Sequence, residues 1–168
     1  GMHGTYQANM SMHNADLILA VGARFDDRIT NTPALFAPNA KIVHIDVDPA
    51  SMSKIINADI PIVGQVKESL QALIKEIKRS KIKIDSDAIE DWIGKINIWK
   101  DKHGLDHEIY MKHLKTKAIL PQAVVQELYH ATNGDAYVTS DVGQHQMFVA
   151  QYYHFNKPRR WINSGGLG

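Results

Sequence analysis

Three short apolar runs, each closed by a glycine or an acid, constrain the fold more than anything else in this chain. They are "DLILAVG" (Asp16–Gly22), "KIVHIDVD" (Lys41–Asp48) and "IPIVG" (Ile60–Gly64). Continuous apolar runs of this length suit buried parallel strands better than half-exposed ones. After the third run, Val66, Leu70, Leu73, Ile74 and Ile77 fall on one face of a predicted amphipathic helix. Parallel strands joined by helical crossovers give an α/β, doubly wound, Rossmann-like sheet.

The character of the chain then changes. "RSKIKIDSD" (Arg79–Asp87) is polar and lysine-rich, as a linker is. Ile89, Trp92, Ile93, Ile96 and Trp99 recur at helical spacing, with Ser86 or Asp87 as the expected cap. The stripe through Trp92 and Trp99 reads as packing rather than a cofactor stack. The region from Arg79 to Lys117 is expected to be an interdomain connection carrying one helix. A second α/β unit follows. Pro121 suits a helix's first turn, Val124, Val125 and Leu128 share a face, and Asn133-Gly134 ends it. "AYVTSD" (Ala136–Asp141) and "RRWINS" (Arg159–Ser164) are expected strands, with a helix starting near Gln144 between them.

Composition bounds the function. A net charge of +1 gives no field that would favour nucleic acid or an acidic membrane. The absence of cysteine excludes disulfides, thiolate metal sites and cysteine nucleophiles, and fits a reducing cytoplasm. No apolar run reaches the ~20 residues of a membrane span. "GMHGTYQANM" lacks the basic segment and apolar core of a secretory signal.

The chemistry-bearing residues gather at expected strand ends, where open α/β sheets bind ligands. In "VGARFDDR" (Val21–Arg28), Gly22 allows close approach, and Arg24 and Arg28 offer charged forks for phosphate. Asp26 and Asp27 could orient those arginines. The alternative is a surface turn whose charges pair among themselves. Asp46 and Asp48 lie where a dinucleotide fold keeps its ribose-binding acid, yet "GARFDD" is not the glycine pattern such folds use for pyrophosphate. Asp48-Pro49 could equally start a turn. In "SDVGQHQM" (Ser140–Met147), Gly143 and a following helix would offer N–H groups to an anion. His145 is a candidate proton carrier or donor, or neither. His103 and His107 have metal-pair spacing, but Gly104 between them argues against a helical site.

Taken together, "GMHGT", "VGARFDDR", "KIVHIDVDP", "GDAYVTSDVGQHQMF" and "KPRRWINSGGLG", in that order, resemble the acetolactate synthase (acetohydroxyacid synthase) large catalytic subunit. The resemblance implies a segment of a thiamine-diphosphate carboligase of branched-chain amino-acid synthesis. Such an enzyme joins pyruvate to a second pyruvate or to 2-ketobutyrate with loss of CO2, using FAD and Mg2+ besides thiamine diphosphate. It implies residues 1–78 as the rear of the central FAD-binding domain, 79–117 as a linker, and 118–168 as the start of the thiamine-diphosphate domain. It implies flavin contacts from Gly1, Met2, His3, Gly22, Ala23, Arg24, Asp27, Arg28, Asp46, Val47, Gln65 and Val66, with Gln65 departing from the aspartate often found there. Val142, Gly143, Gln144, His145 and Gly168 would line the thiamine-diphosphate site, Gln144 and His145 at the active centre. No metal ligand falls in this chain; the Mg2+-binding stretch would lie beyond Gly168.

Resemblance also implies a cytoplasmic homo-oligomer with a small regulatory subunit. The isolated chain is expected to be inactive and to bind no cofactor, or FAD at most weakly. Two other readings stand beside this one. The chain could be a residual flavin- or nucleotide-binding module, or a structural remnant that self-associates to cover open sheet edges.

Overall fold

The computed structural model describes residues 1–105 and 118–167. His107 and Gly168 fall outside the described residues. The described part separates into two compact units. One holds Gly1 and Ala8–Ile98; the other holds Met2–Gln7 and the chain from Trp99 onward.

The first unit is built on a parallel sheet of β1 (Leu17–Val21), β2 (Lys41–Asp46) and β3 (Ile60–Val63), in the order β1-β2-β3. The register pairs Val21 with Ile45 and Ile45 with Ile62. Each strand stops short of its apolar run, because Gly22, Val47 and Gly64 turn the chain away. Asp59, just before β3, accepts a hydrogen bond from the Ile42 backbone N–H at 2.7 Å and so carries the ladder one step past the last paired residue.

Helix α1 (Tyr6–Asn14) has no counterpart in the sequence reading; "YQANMSMHN" carries no clear apolar stripe. Helix α2 (Asp27–Thr30) is one turn, capped by Asp26, whose carboxylate accepts from the Arg28 N–H at 3.1 Å. Short 3-10 turns cover Pro33–Leu35 and Pro49–Ser51. Helix α3 (Val66–Ser80) follows β3, as the periodicity predicts. Its N-cap is Gln65, whose side chain makes no capping bond. A glutamine amide stands one methylene too far out to fold back onto the first turn, where an aspartate caps well. Gln65→Asp is expected to stabilise the unit by about 0.5–1 kcal/mol, measured as a rise in the urea midpoint; no change would show that the cap is not formed.

Helix α4 (Ser86–His103) begins where expected, but its cap is Asp85 rather than Ser86 or Asp87. The Asp85 carboxylate accepts from the Ala88 N–H at 3.0 Å. Trp92, Ile96 and Trp99 are half-buried, whereas Ile89 and Ile93 of the same expected stripe are exposed.

Burial departs from expectation. Only β2 is a buried strand, with Ile42, His44 and Ile45 nearly sealed. Leu17, Leu19, Ile60 and Val63 on the flanking strands are exposed, as are Ile74 and Ile77 on α3. An edge strand has one neighbour, and the described elements of this unit cover little more than the sheet's centre. Around that centre Ala20, Ala37 and Thr30 are also buried.

The second unit contains α5 (Pro121–Thr132), β4 (Val138–Ser140), α6 (Gln144–Tyr152) and β5 (Trp161–Asn163). β4 and β5 are parallel and shorter than "AYVTSD" and "RRWINS", pairing Val138 with Trp161 through Ser140 with Asn163. Pro121 is in the first turn of α5, and Asn133 closes it in the left-handed region, as predicted. The core is Val138, Val149 and Tyr153, packed by Val125, Tyr129, Ala136, Phe155 and Trp161. Thr132 donates its hydroxyl to the Leu128 carbonyl at 2.8 Å, so the Tyr153 hydroxyl, 2.7 Å away, donates to Thr132. Outside the core, Asp135 accepts from Lys157 at 2.8 Å and lies 3.1 Å from Arg160. The bond from Lys157 and its charge hold the Asp135 carboxyl below the usual carboxylate range.

Candidate functional site

In the first unit, three strands running the same way deliver three loops to one edge of the sheet. Gly22 follows β1, Val47 follows β2, and Gly64–Val66 follow β3. Gly22 takes a positive φ of 59° and donates its N–H to the Ile45 carbonyl at 2.8 Å. A Cβ on Gly22 would lie 3.6 Å from Val66 Cγ2, so the first and third loops meet. The second is tied to the third: the Gly64 N–H donates to the Asp46 carbonyl at 2.9 Å. The structure therefore brings Gly22, Asp46 and Val66 together at the carboxyl ends of the strands.

Gly1 joins the α2 side of this edge. A Cβ there would fall 2.4 Å from the Arg28 carbonyl oxygen. Asn9 clamps it, accepting from the Gly1 amino group and donating from its own amide to the Gly1 carbonyl at 3.0 Å. Met2 and His3 follow in a turn, Met2 exposed and His3 half-buried.

The charged groups of the turn are engaged with each other. Arg24 lies 3.4 Å from Asp26 and Arg28 lies 4.0 Å from Asp27, all well exposed except the Asp26 carboxylate, which is 31% exposed. Self-pairing and anion binding are compatible here, because exposed pairs of this kind contribute little and exchange readily. Asp46 accepts from the Asp48 N–H at 2.9 Å, and Asp48 accepts from the Ala50 N–H at 2.9 Å. Asp48 is thus the turn former that the alternative reading gave. Ala23 is half-buried; Val47 and Gln65 are exposed.

Sequence reasoning passed over two residues that hold this edge, Asn9 and His44. His44 stands in the buried strand with Nε2 2.9 Å from the Ala23 carbonyl oxygen. A histidine amid the apolar residues of "KIVHID" was the available signal, since a buried polar side chain must find a partner. The first unit also has an open cleft of about 450 Å³ between the loop at Pro33–Ala40 and that at Ile55–Asp59, lined by none of the turn residues Gly22–Arg28.

In the second unit the ends of β4 and β5 share an edge, because the strands are parallel. Val142–His145 follow β4, and all four are exposed. Helix α6 starts at Gln144 with Gly143 as its cap residue. The His145 ring folds back to where a Gly143 side chain would stand, its Cε1 2.8 Å from an ideal Cβ. Gly143 makes no side-chain cap, and the Gln146 N–H is taken by the Gly143 carbonyl at 3.1 Å. The Trp161 indole N–H donates to Ser140 Oγ at 2.8 Å and fixes the end of β4. Among the described residues no cluster of three or more acidic or histidine side chains could hold a metal ion.

Comparison with known proteins identifies the family. A family model described as "Thiamine pyrophosphate enzyme, central domain" matches residues 1–73, and "Thiamine pyrophosphate enzyme, C-terminal TPP binding domain" matches residues 141–168. The acetolactate synthase isozyme 3 large subunit of Escherichia coli (strain K12) is 54% identical over the whole chain. The large subunit of Buchnera aphidicola subsp. Schizaphis graminum is 52% identical, and the chloroplastic acetolactate synthase 1 of Nicotiana tabacum 45%, again over the whole chain. The chain spans 28% of the length of the two bacterial relatives and 24% of the plant one. Matched along its whole length by these subunits, and by models of two domains of one enzyme class, the chain belongs to the thiamine pyrophosphate enzymes, in the acetolactate synthase large-subunit branch.

Proposed function

We propose that this chain supplies two cofactor-facing edges of an acetolactate synthase: a flavin edge in the first unit and a diphosphate edge in the second. The reaction is the joining of pyruvate to a second 2-keto acid, pyruvate or 2-ketobutyrate, with loss of CO2, in branched-chain amino-acid synthesis. The observation that carries the reading is the convergence of Gly22, Asp46 and Val66 at the carboxyl ends of three parallel strands. In this reading residues 1–78 are the rear of the central domain, 79–117 the connection and 118–168 the start of the thiamine-diphosphate domain.

The residues present fit the two groups. For FAD, Gly1, Met2, His3, Gly22, Ala23, Val47, Gln65 and Val66 offer backbone or apolar contact. Arg24 and Arg28 carry exposed guanidiniums for phosphate, with Asp27 orienting Arg28, and Asp46 is an acceptor for a ribose hydroxyl. For thiamine diphosphate, Val142 and Gly143 line the site, Gly168 is assigned to it by the resemblance alone, and the N-terminus of α6 favours an anion. Gln144 and His145 sit at the active centre as hydrogen-bonding side chains. Thiamine diphosphate, when bound, supplies the electron sink for decarboxylation. No residue of this chain is proposed as a Mg2+ ligand. The proposed setting is a cytoplasmic homo-oligomer with a small regulatory subunit.

Titration of the chain with FAD, followed by flavin fluorescence, tests the first edge. Weak saturable binding is expected, and Arg24→Ala combined with Arg28→Ala should weaken it about tenfold, the loss of one good charge-assisted bond's worth of affinity. An unaltered titration in the double variant would remove the arginines from the site. The chain alone, given pyruvate, thiamine diphosphate, FAD and Mg2+, is expected to form no acetolactate; turnover would overturn its proposed dependence on further parts.

A further inference from the structure

The Ala23 carbonyl lies just past the last rung of the β1–β2 ladder, where Gly22 donates to Ile45 and turns the chain at φ 59°. Beyond that rung the backbone oxygen needs a partner from elsewhere. It receives one from the neighbouring strand: His44, 1% exposed, places Nε2 2.9 Å away. A carbonyl oxygen only accepts, so Nε2 carries the proton. The other ring nitrogen, Nδ1, is buried with no partner among the described atoms, as befits the bare nitrogen of a neutral ring. Phe25, two residues past Ala23, meets the imidazole edge to face at 5.1 Å, and Phe36 packs edge-on to Phe25 at 5.8 Å. The imidazole is thus held from two sides by the turn it bonds.

We infer that His44 is a positioning residue for the Gly22–Arg28 turn, a neutral Nε2–H imidazole that fixes the Ala23 carbonyl and thereby the shape the turn presents to a flavin diphosphate. Packing alone does not call for histidine at this position. Ile42 and Ile45 beside it are apolar, and a leucine or phenylalanine would fill the volume without a buried lone pair. What only histidine or an amide adds is the N–H to Ala23. The choice of ligand rests on the flavin reading above; the bond and its effect on the turn do not.

Long-range 1H–15N correlation of the His44 ring should show the Nε2–H tautomer. His44→Phe keeps the ring against Phe25 and removes the donor; His44→Gln places an amide N–H near the position of Nε2. Amide hydrogen exchange at Gly22, whose N–H bonds the Ile45 carbonyl at the root of the turn, is expected to speed up at least about tenfold in the phenylalanine variant and to return to within about threefold of the original in the glutamine variant. Flavin affinity should follow the same order. An Nδ1–H tautomer, or exchange unchanged in His44→Phe, would overturn the inference. If His44→Phe does not fold, the tautomer and the glutamine variant decide alone. Should the unmodified chain bind no flavin while tautomer and exchange behave as expected, the flavin reading fails and the positioning role stands.

Discussion

Ile45→Ala is expected to cost the first unit about 2–5 kcal/mol, the range for emptying a fully buried aliphatic site. Ile45 has no exposed surface, and among the described strands only its own has neighbours on both sides. Its side chain is fixed between Val21 and Ile62, and its carbonyl accepts the Gly22 N–H that starts the Gly22–Arg28 turn. Partial collapse around the lost methyl groups would therefore move the turn as well. A domain's whole stability is only about 5–15 kcal/mol, and this unit has few other sealed residues to share the loss. Urea unfolding followed by amide signals of β2 should show the midpoint falling steeply or the folded signals gone. Leu19→Ala on the neighbouring strand is the control. Leu19 is already 44% exposed, and its removal should cost far less. Equal losses at the two positions would mean that the sheet has no centre of the kind described.

Gly134→Ala should destabilise the second unit by about 2–4 kcal/mol. Roughly 1 kcal/mol comes from placing a side chain at φ 69°. About 1–3 kcal/mol more comes from overpacking. The new methyl would fall 2.7 Å from Asn156 Nδ2, 2.9 Å from Tyr129 Cε2 and 2.9 Å from the His154 carbonyl oxygen. The asparagine can swing away. The carbonyl cannot, because it is backbone next to Tyr153, whose N–H is held by Val149 at 3.1 Å. Tyr129 belongs to the packing around Tyr153, so its displacement loosens the core directly. Thermal unfolding should drop by roughly 4–8 °C for each kcal/mol lost. A melting temperature within a degree of the original would show that the turn relaxes freely.

Secondary structure was legible wherever a periodic apolar pattern met a turn residue. The three strands of the first unit, α3, α4 and α5 all carry such patterns. Helix α1 does not, and it went unread. The cap of α4 was misplaced by one residue because Asp85, Ser86 and Asp87 are all good caps, and only backbone geometry chooses among them. Burial was the larger error. The run "IPIVG" states that a strand is apolar, but not whether anything lies over it, and β3 turns out half open. The rule of strand ends put Gly22 and Asp46 at neighbouring strand ends, where the structure has them, whereas Val66 entered the site only through the family resemblance. It could not decide between self-paired charges and ligand-facing ones at Arg24 and Arg28, a matter of side-chain reach. Nor could it find His44, whose partner is remote in sequence, at Ala23.

The open faces of β1, β3 and α3 have a thermal consequence. Apolar surface that is already wet in the folded state adds nothing to the heat-capacity change when the chain unfolds. That change should fall below the ~12–15 cal/mol/K per residue typical of globular proteins. With a smaller heat-capacity change, the dome of stability against temperature flattens. Low overall stability would then go with a broad, shallow melting transition rather than a sharp one, and cooling would recover less of it than in a well-covered domain.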